Sequence, residues 1–159
     1  MVIIGYDGSP AAHHAIVEAG KLLRGHDALV VVAWTEGAGF EYAEIPATSF
    51  DAPPATIDVR TAMEVDHAMS ERAQRLAQEG ARIAREAGFL EPQGLAAAED
   101  VGTSVAEMLV AIAQERHADA IVVGAHGHGR LGEVFLGSTS RDVIRHSPLP
   151  VVVTRATAE

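Results

Sequence analysis

Glycines and hydroxyl side chains crowd one stretch of this sequence, GAHGHGRLGEVFLGSTS, which runs from Gly124 to Ser140 behind the apolar run AIVV. Glycine lets backbone approach a ligand closely, and backbone amides at a helix start are natural anion donors. Three spacings overlap in it. Gly127-His-Gly129-Arg-Leu-Gly132 spells a dinucleotide fingerprint, but that motif opens the first strand–helix unit and needs a ribose-binding acid about 20 residues on. Here it follows the fourth strand, and the chain downstream reads PVVVT. Gly132-x4-Gly137-Ser138-Thr139 outlines a P-loop, with serine where the phosphate-reaching lysine belongs. The third spacing, Gly124-x2-Gly127-x9-Gly137-Ser138, makes physical sense as two amide clusters. One ends a strand. The other starts a helix, where the dipole and the hydroxyls of Ser138, Thr139 and Ser140 favour an anion. A glycine-rich turn with an ordinary serine cap is the competing reading, and the residues alone leave both open.

Other chemistry is thinner. Asp7, in YDGSP, is placed to meet a ribose or a metal, or to cap its own turn. His126 and His128 form an HxH pair with no third ligand in evidence, so His126 reads as a donor to ribose or phosphate. His13 and His14 are helix neighbours and read as solvent-side. Ser138 has neither a base nor a GxSxG context to make it a nucleophile. Arg130 and Glu133 oppose one another between the glycine clusters. There is no cysteine, which removes disulfides, thiolate metal sites and cysteine nucleophiles. The net charge is −10 with no basic cluster, which argues against nucleic acid and anionic membranes as partners.

These residues need a frame. The chain's 159 residues suit one domain with a real core. Hydrophobics make up 48% but aromatics only 4%, so the core must be built of Ala, Val, Leu and Ile, as in helices packed on a buried parallel sheet. Buried strands are predicted at 2–7, 28–34 and 119–124, a weaker alanine-rich one at 94–99, and a last one at 148–155. Helices are predicted from the Ser9-Pro10 cap to Gly25, over 61–89 with Met69, Ala73, Leu76, Gly80, Ile83 and Ala87 inward, over 105–117, and from Ser138 to about His146. Residues 35–60, with three prolines and two glycines, read as a long functional or mobile loop. Alternating strands and helices predict a doubly wound α/β fold, Rossmann-like, with right-handed crossovers and helices on both faces. No basic leader precedes the first strand and no apolar run reaches membrane length, so the expected location is the cytoplasm.

The spaced glycines, with VIIGYDGSPAAHHAI at one end and IVVGAHGHGR…LGSTSRDVIRHSPLPVVVTR at the other, resemble the universal stress protein family in its ATP-binding branch. The resemblance spans nearly the whole chain, 1–159, as a single such domain. It implies a five-stranded parallel sheet in the order 3-2-1-4-5. It also implies an ATP site in which Asp7 lies against the adenosine and the Ala33 backbone meets the adenine. Val123, Gly124, His126 and Gly127 would form the ribose and phosphate turn, and Gly137, Ser138, Thr139 and Ser140 the triphosphate-holding helix start. Family members commonly form homodimers. Most act as stress-response regulators without a defined catalytic activity, and slow ATP hydrolysis is reported for some. Mg²⁺ would accompany the nucleotide. The apolar last strand, an exposed edge, would be covered by the same strand of a second chain. The competing functions are a dimeric interaction or scaffold module that ignores nucleotides, and a cyclic-nucleotide sensor.

Overall fold

A computed structural model describes residues 1–37, 59–99, 102–125 and 136–155. In chain order the elements are β1 (Val2–Gly5), α1 (Pro10–Leu22), β2 (Asp27–Thr35), α2 (Val59–Ala87), β3 (Leu90–Glu99), α3 (Val105–Glu115), β4 (Ala120–Gly124), α4 (Ser138–His146) and β5 (Val151–Thr154). The five strands form one sheet, β3-β2-β1-β4-β5, with every neighbour parallel. This is the predicted order. Most of the expected loop, 38–58, lies outside the described residues.

The side-chain period of a strand sorts the core into two layers. Val2, Ile4, Val30 and Val122 face α1 and α2, where Ile16, Ala77 and Ala84 meet them. Ile3, Val31, Ile121 and Val123 face the opposite way, towards Leu109 of α3 and Val143 of α4. Both faces of the sheet are therefore apolar, which explains why β1 and β4 read as unbroken hydrophobic runs.

Capping sets the helix starts. The Ser9 hydroxyl accepts the Ala12 N–H at 3.1 Å, with Pro10 behind it, and Ser104 closes a capping box with Glu107 at the start of α3. Along α2 the fully buried stripe is Ala73, Ala77, Gly80, Ala81, Ile83 and Ala84, while Met69 and Leu76 are only half-buried. Small residues win the inner positions because α2 lies almost on the sheet's backbone. A Cβ at Gly94 of β3 would stand 2.5 Å from the Ala77 carbonyl, and one at Gly80 2.7 Å from a Val30 methyl.

Two strands differ from expectation. β3 begins at Leu90, four residues early, because a register shift near Asp27 and Leu29 and a positive φ at Glu91 carry the chain past Pro92. Pro in a strand argues for a break, and the irregularity absorbs it. β5 is shorter than predicted, since Pro148 and Pro150 have no N–H to give a ladder.

The outer strands are finished differently. On β3 the Gln74 side chain of α2 acts as a substitute strand. Its amide nitrogen donates to the Gly94 carbonyl at 3.4 Å, and its oxygen accepts the Ala96 N–H at 3.2 Å. On β5 the bonds from the Ile121 and Ala125 N–H groups reach the Pro150 and Thr154 carbonyls. Strand alternation then turns the N–H and C=O of Val151 and Val153 outward, and among the described residues no further strand meets them.

Candidate functional site

The crossovers leave β1 in opposite directions, to β2 through α1 and eventually to β4 on its other side. In such a sheet the crevice beyond the carboxyl ends of the strands at this switch point accepts ligands. Asp7 stands two residues past Gly5. Ala33 stands two residues past Val31, the partner of Gly5. The Tyr6 N–H bonds to the Val31 carbonyl at 2.9 Å, so the two strands stay paired up to the level of the site. Gly124 ends β4 on the other flank of β1. The fold thus brings Asp7, Ala33 and Gly124 to three adjacent strand ends.

The Asp7 turn is tightly specified. One carboxylate oxygen of Asp7 accepts the Ser9 N–H at 2.9 Å, a local turn bond typical of aspartate. Gly8 follows at φ +78, where its missing Cβ would also crowd Leu76. Beneath the turn Tyr6 is 6% exposed. Burial pushes its phenol's pKa up, and the nearby carboxylates of Glu79 and Asp7 push it further, against a smaller opposing effect of Arg82. Tyr6 therefore stays a neutral hydroxyl and cannot serve as a base near neutral pH.

The second cluster is assembled by a residue that sequence reasoning missed. Ala125, buried at the end of β4, accepts the Gly137 N–H at 2.7 Å and the Ser140 hydroxyl at 3.2 Å. Its own N–H donates to the Thr154 carbonyl at 2.8 Å. Gly124 and Gly137, thirteen positions apart in the chain, are thereby held at one spot. Nothing in the type of Ala125 signals this, because the bonds use only its backbone. The Ser140 hydroxyl, expected to face a ligand, also bonds the Gly137 carbonyl at 3.1 Å, so it braces the turn. Val123 is buried against α3 and α4, leaving only its backbone to the crevice.

The start of α4 carries no side-chain cap. Gly137 stands at the cap position, and the first backbone bond of the helix is from the Arg141 N–H to the Gly137 carbonyl at 3.1 Å. The N–H groups of Ser138, Thr139 and Ser140 thus precede the helix's own ladder. The contrast with α1 and α3, both closed by serines, is local and chemical. Ser138 is exposed and Thr139 half-buried, so two hydroxyls stand beside three amides that have no acceptor among the described residues. Arg141 donates to the Leu136 carbonyl at 3.2 Å. His126, Gly127, His128, Arg130 and Glu133 lie outside the described residues. Among the described residues no three His, Asp or Glu side chains are close enough to hold a metal ion.

His13 and His14 are elsewhere. With Tyr6, Ser9, Val17 and Glu79 they line an open cleft of about 480 Å³ between α1 and α2, on the face of the sheet away from α4. His13 is exposed and His14 half-buried.

Residues 1–155 match the model of the universal stress protein family. The chain belongs to the universal stress protein family. Among curated relatives, a universal stress protein of Thermus aquaticus, encoded 3′ of a sulfhydrylase, is 29% identical over 154 residues, covering 97% of each chain. Among solved structures, the hypothetical protein MJ0577 superimposes with a TM-score of 0.72 at 19% identity, over 99% of this universal stress protein and 96% of the other. A universal stress protein in complex with cAMP gives a TM-score of 0.60 at 21% identity, covering 98% and 97%. One from Archaeoglobus fulgidus in complex with dAMP gives 0.57 at 21% identity, covering 96% and 94%. At these identities the structures establish a shared fold. Among the described residues of this universal stress protein, no helix is long and apolar enough to cross a membrane.

Proposed function

We propose that this universal stress protein binds ATP at the crevice between β1 and β4 and acts as a nucleotide-dependent stress-response regulator, with at most weak ATPase activity. The observation that carries the reading is the unclosed N-terminus of α4, pinned by Ala125 beside Gly124. Three amide donors, two hydroxyls and the positive end of the helix dipole suit a polyphosphate. Asp7 would meet the ribose and the Ala33 backbone the base. His126 and Gly127 would complete the phosphate turn. The complexes of related folds with dAMP and cAMP support an adenine nucleotide as the ligand class. Mg²⁺ would travel with the triphosphate as its counter-ion. The open edge of β5 would pair with the same edge of a second copy to give a homodimer.

Titration calorimetry on nucleotide-stripped protein tests this, with ATP·Mg²⁺, AMP and cAMP as ligands. Trp34, the single tryptophan and the neighbour of Ala33, supplies an independent fluorescence readout. ATP should bind more tightly than AMP, because only its outer phosphates reach α4. Tighter binding of cAMP would make the protein a cyclic-nucleotide sensor. No heat and no fluorescence change at millimolar ATP would leave a nucleotide-independent scaffold.

A further inference from the structure

Ala125 joins the proposed nucleotide helix to the open edge of the sheet. Its carbonyl accepts from Gly137 and Ser140, which form the start of α4, and its N–H donates to Thr154, the last residue of β5. The bonds run head to tail through one peptide unit on each side of a residue only 2% exposed, where hydrogen bonds polarise one another and compete little with water. The two ends of this relay are weakly supported on their own. The first turn of α4 has no side-chain cap. Thr154 ends a four-residue strand, and its buried hydroxyl has no partner among the described residues, so its position there rests on backbone pairing with β4.

We infer that nucleotide occupancy at α4 and pairing of β5 with a second copy strengthen each other through Ala125. This rests on the function proposed above and adds a mode of regulation to it. An anion accepting from the Ser138, Thr139 and Ser140 N–H groups fixes the first turn of α4. The Gly137 N–H and Ser140 hydroxyl are fixed with it, and so is the Ala125 carbonyl they bond; the N–H of the same residue, on the preceding peptide unit, holds Thr154 in register opposite Gly124. A second chain pairing with the Val151 and Val153 edge orders the same short strand from its other side. Whichever partner binds first removes part of the ordering cost met by the other, which is positive cooperativity without a change of shape. Linkage makes the factor equal in both directions. The shared element is one turn and one strand end, so the factor belongs at the low end of the usual range, about fivefold.

Sedimentation velocity across a dilution series, with and without saturating ATP·Mg²⁺, measures one side of the linkage. Nucleotide affinity below and above the dimerisation midpoint measures the other. Both dissociation constants should fall about fivefold when the other partner is present. Hydrogen exchange at the Ala125 N–H should slow on adding nucleotide, a readout that needs no variant. Ser140→Ala removes the hydroxyl brace to Ala125, and at an ATP·Mg²⁺ concentration that saturates the variant its dimer constant should change by less than about twofold. In the wild type, nucleotide binding with an unchanged dimer constant, or with a chain that stays monomeric, overturns the linkage and leaves the nucleotide reading standing. Absence of nucleotide binding removes both.

Discussion

Thr154→Val is the sharpest probe of the site's architecture. Among the described residues the buried Thr154 Oγ1 has no hydrogen-bond partner, so folding strips water from the hydroxyl and none of them replaces it. Leaving such a group unsatisfied costs about 1–3 kcal/mol, and valine replaces it with a methyl of similar shape and equal strand preference. The backbone bond from Ala125 N–H to the Thr154 carbonyl is untouched. The substitution should therefore stabilise the protein by about 1–3 kcal/mol. For a domain of this size that is a rise in Tm of roughly 2–4 °C per kcal/mol. The assay is thermal and urea unfolding of both proteins without nucleotide, at equal concentration so that self-association does not shift the midpoint. A Tm that stays the same or falls refutes the reasoning. It would mean that the hydroxyl is satisfied in the native protein, by water or by a second chain.

Three further outcomes follow from packing and capping. Gly94→Ala places its Cβ 2.5 Å from the Ala77 carbonyl and 2.8 Å from the Gln78 nitrogen. Because the obstacle is backbone, urea unfolding should show a loss of about 3 kcal/mol, the upper end of overpacking costs, and a loss under about 1 kcal/mol would contradict the close approach of α2 to β3. Gly80→Ala meets the Val30 and Tyr6 side chains instead, and alanine's better helix propensity returns about 1 kcal/mol, so its loss should be clearly smaller. In the α3 capping box, the Ser104 backbone N–H and then its hydroxyl hold the Glu107 carboxyl below its ordinary pKa. A depressed carboxylate contributes stability that is complete above its unfolded pKa and is lost as pH falls. Glu107→Gln should thus unfold more easily than wild type at pH 7, with the gap closing below about pH 4; a gap that persists in acid would show that charge is not the cause.

The glycine and serine types at 124, 137 and 138–140 pointed to the strand end and helix start that the fold brings together as the candidate site, because type decides who can bring backbone close and who can start a helix. The layering was equally legible, since unbroken apolar runs at β1 and β4 require both faces to be covered, whereas the strand order came from the family resemblance and is the order observed. What the residues did not disclose is the part written in backbone. Ala125 gathers two loop ends and a strand through its peptide groups, and an alanine looks the same wherever it stands. Ser140 illustrates the converse: its hydroxyl looked ligand-directed, and the fold uses it as a brace. The inner stripe of α2 differs from expectation at Met69, which is half-buried and outside the core cluster, while Leu76 is half-buried but packs against it. Periodicity ranks positions by apolarity, whereas contact with the sheet's backbone at Gly94 selects by size.

The unequal finishing of the outer strands bears on how many copies this sheet can recruit. A parallel sheet with both edges bare offers each added chain a fresh edge, and growth then has no natural end. Here the Gln74 amide occupies the outward groups of Gly94 and Ala96, so addition from the β3 side meets a plug. Among the described residues β5 is the outer strand without such a cover, and in the homodimer proposed above a contact between two β5 strands would be self-complementary about a twofold axis and would consume the bare edge of both chains at once. On that proposal addition through this sheet would stop at two copies, with the Gln74 amide standing where a further chain would otherwise pair with Gly94 and Ala96.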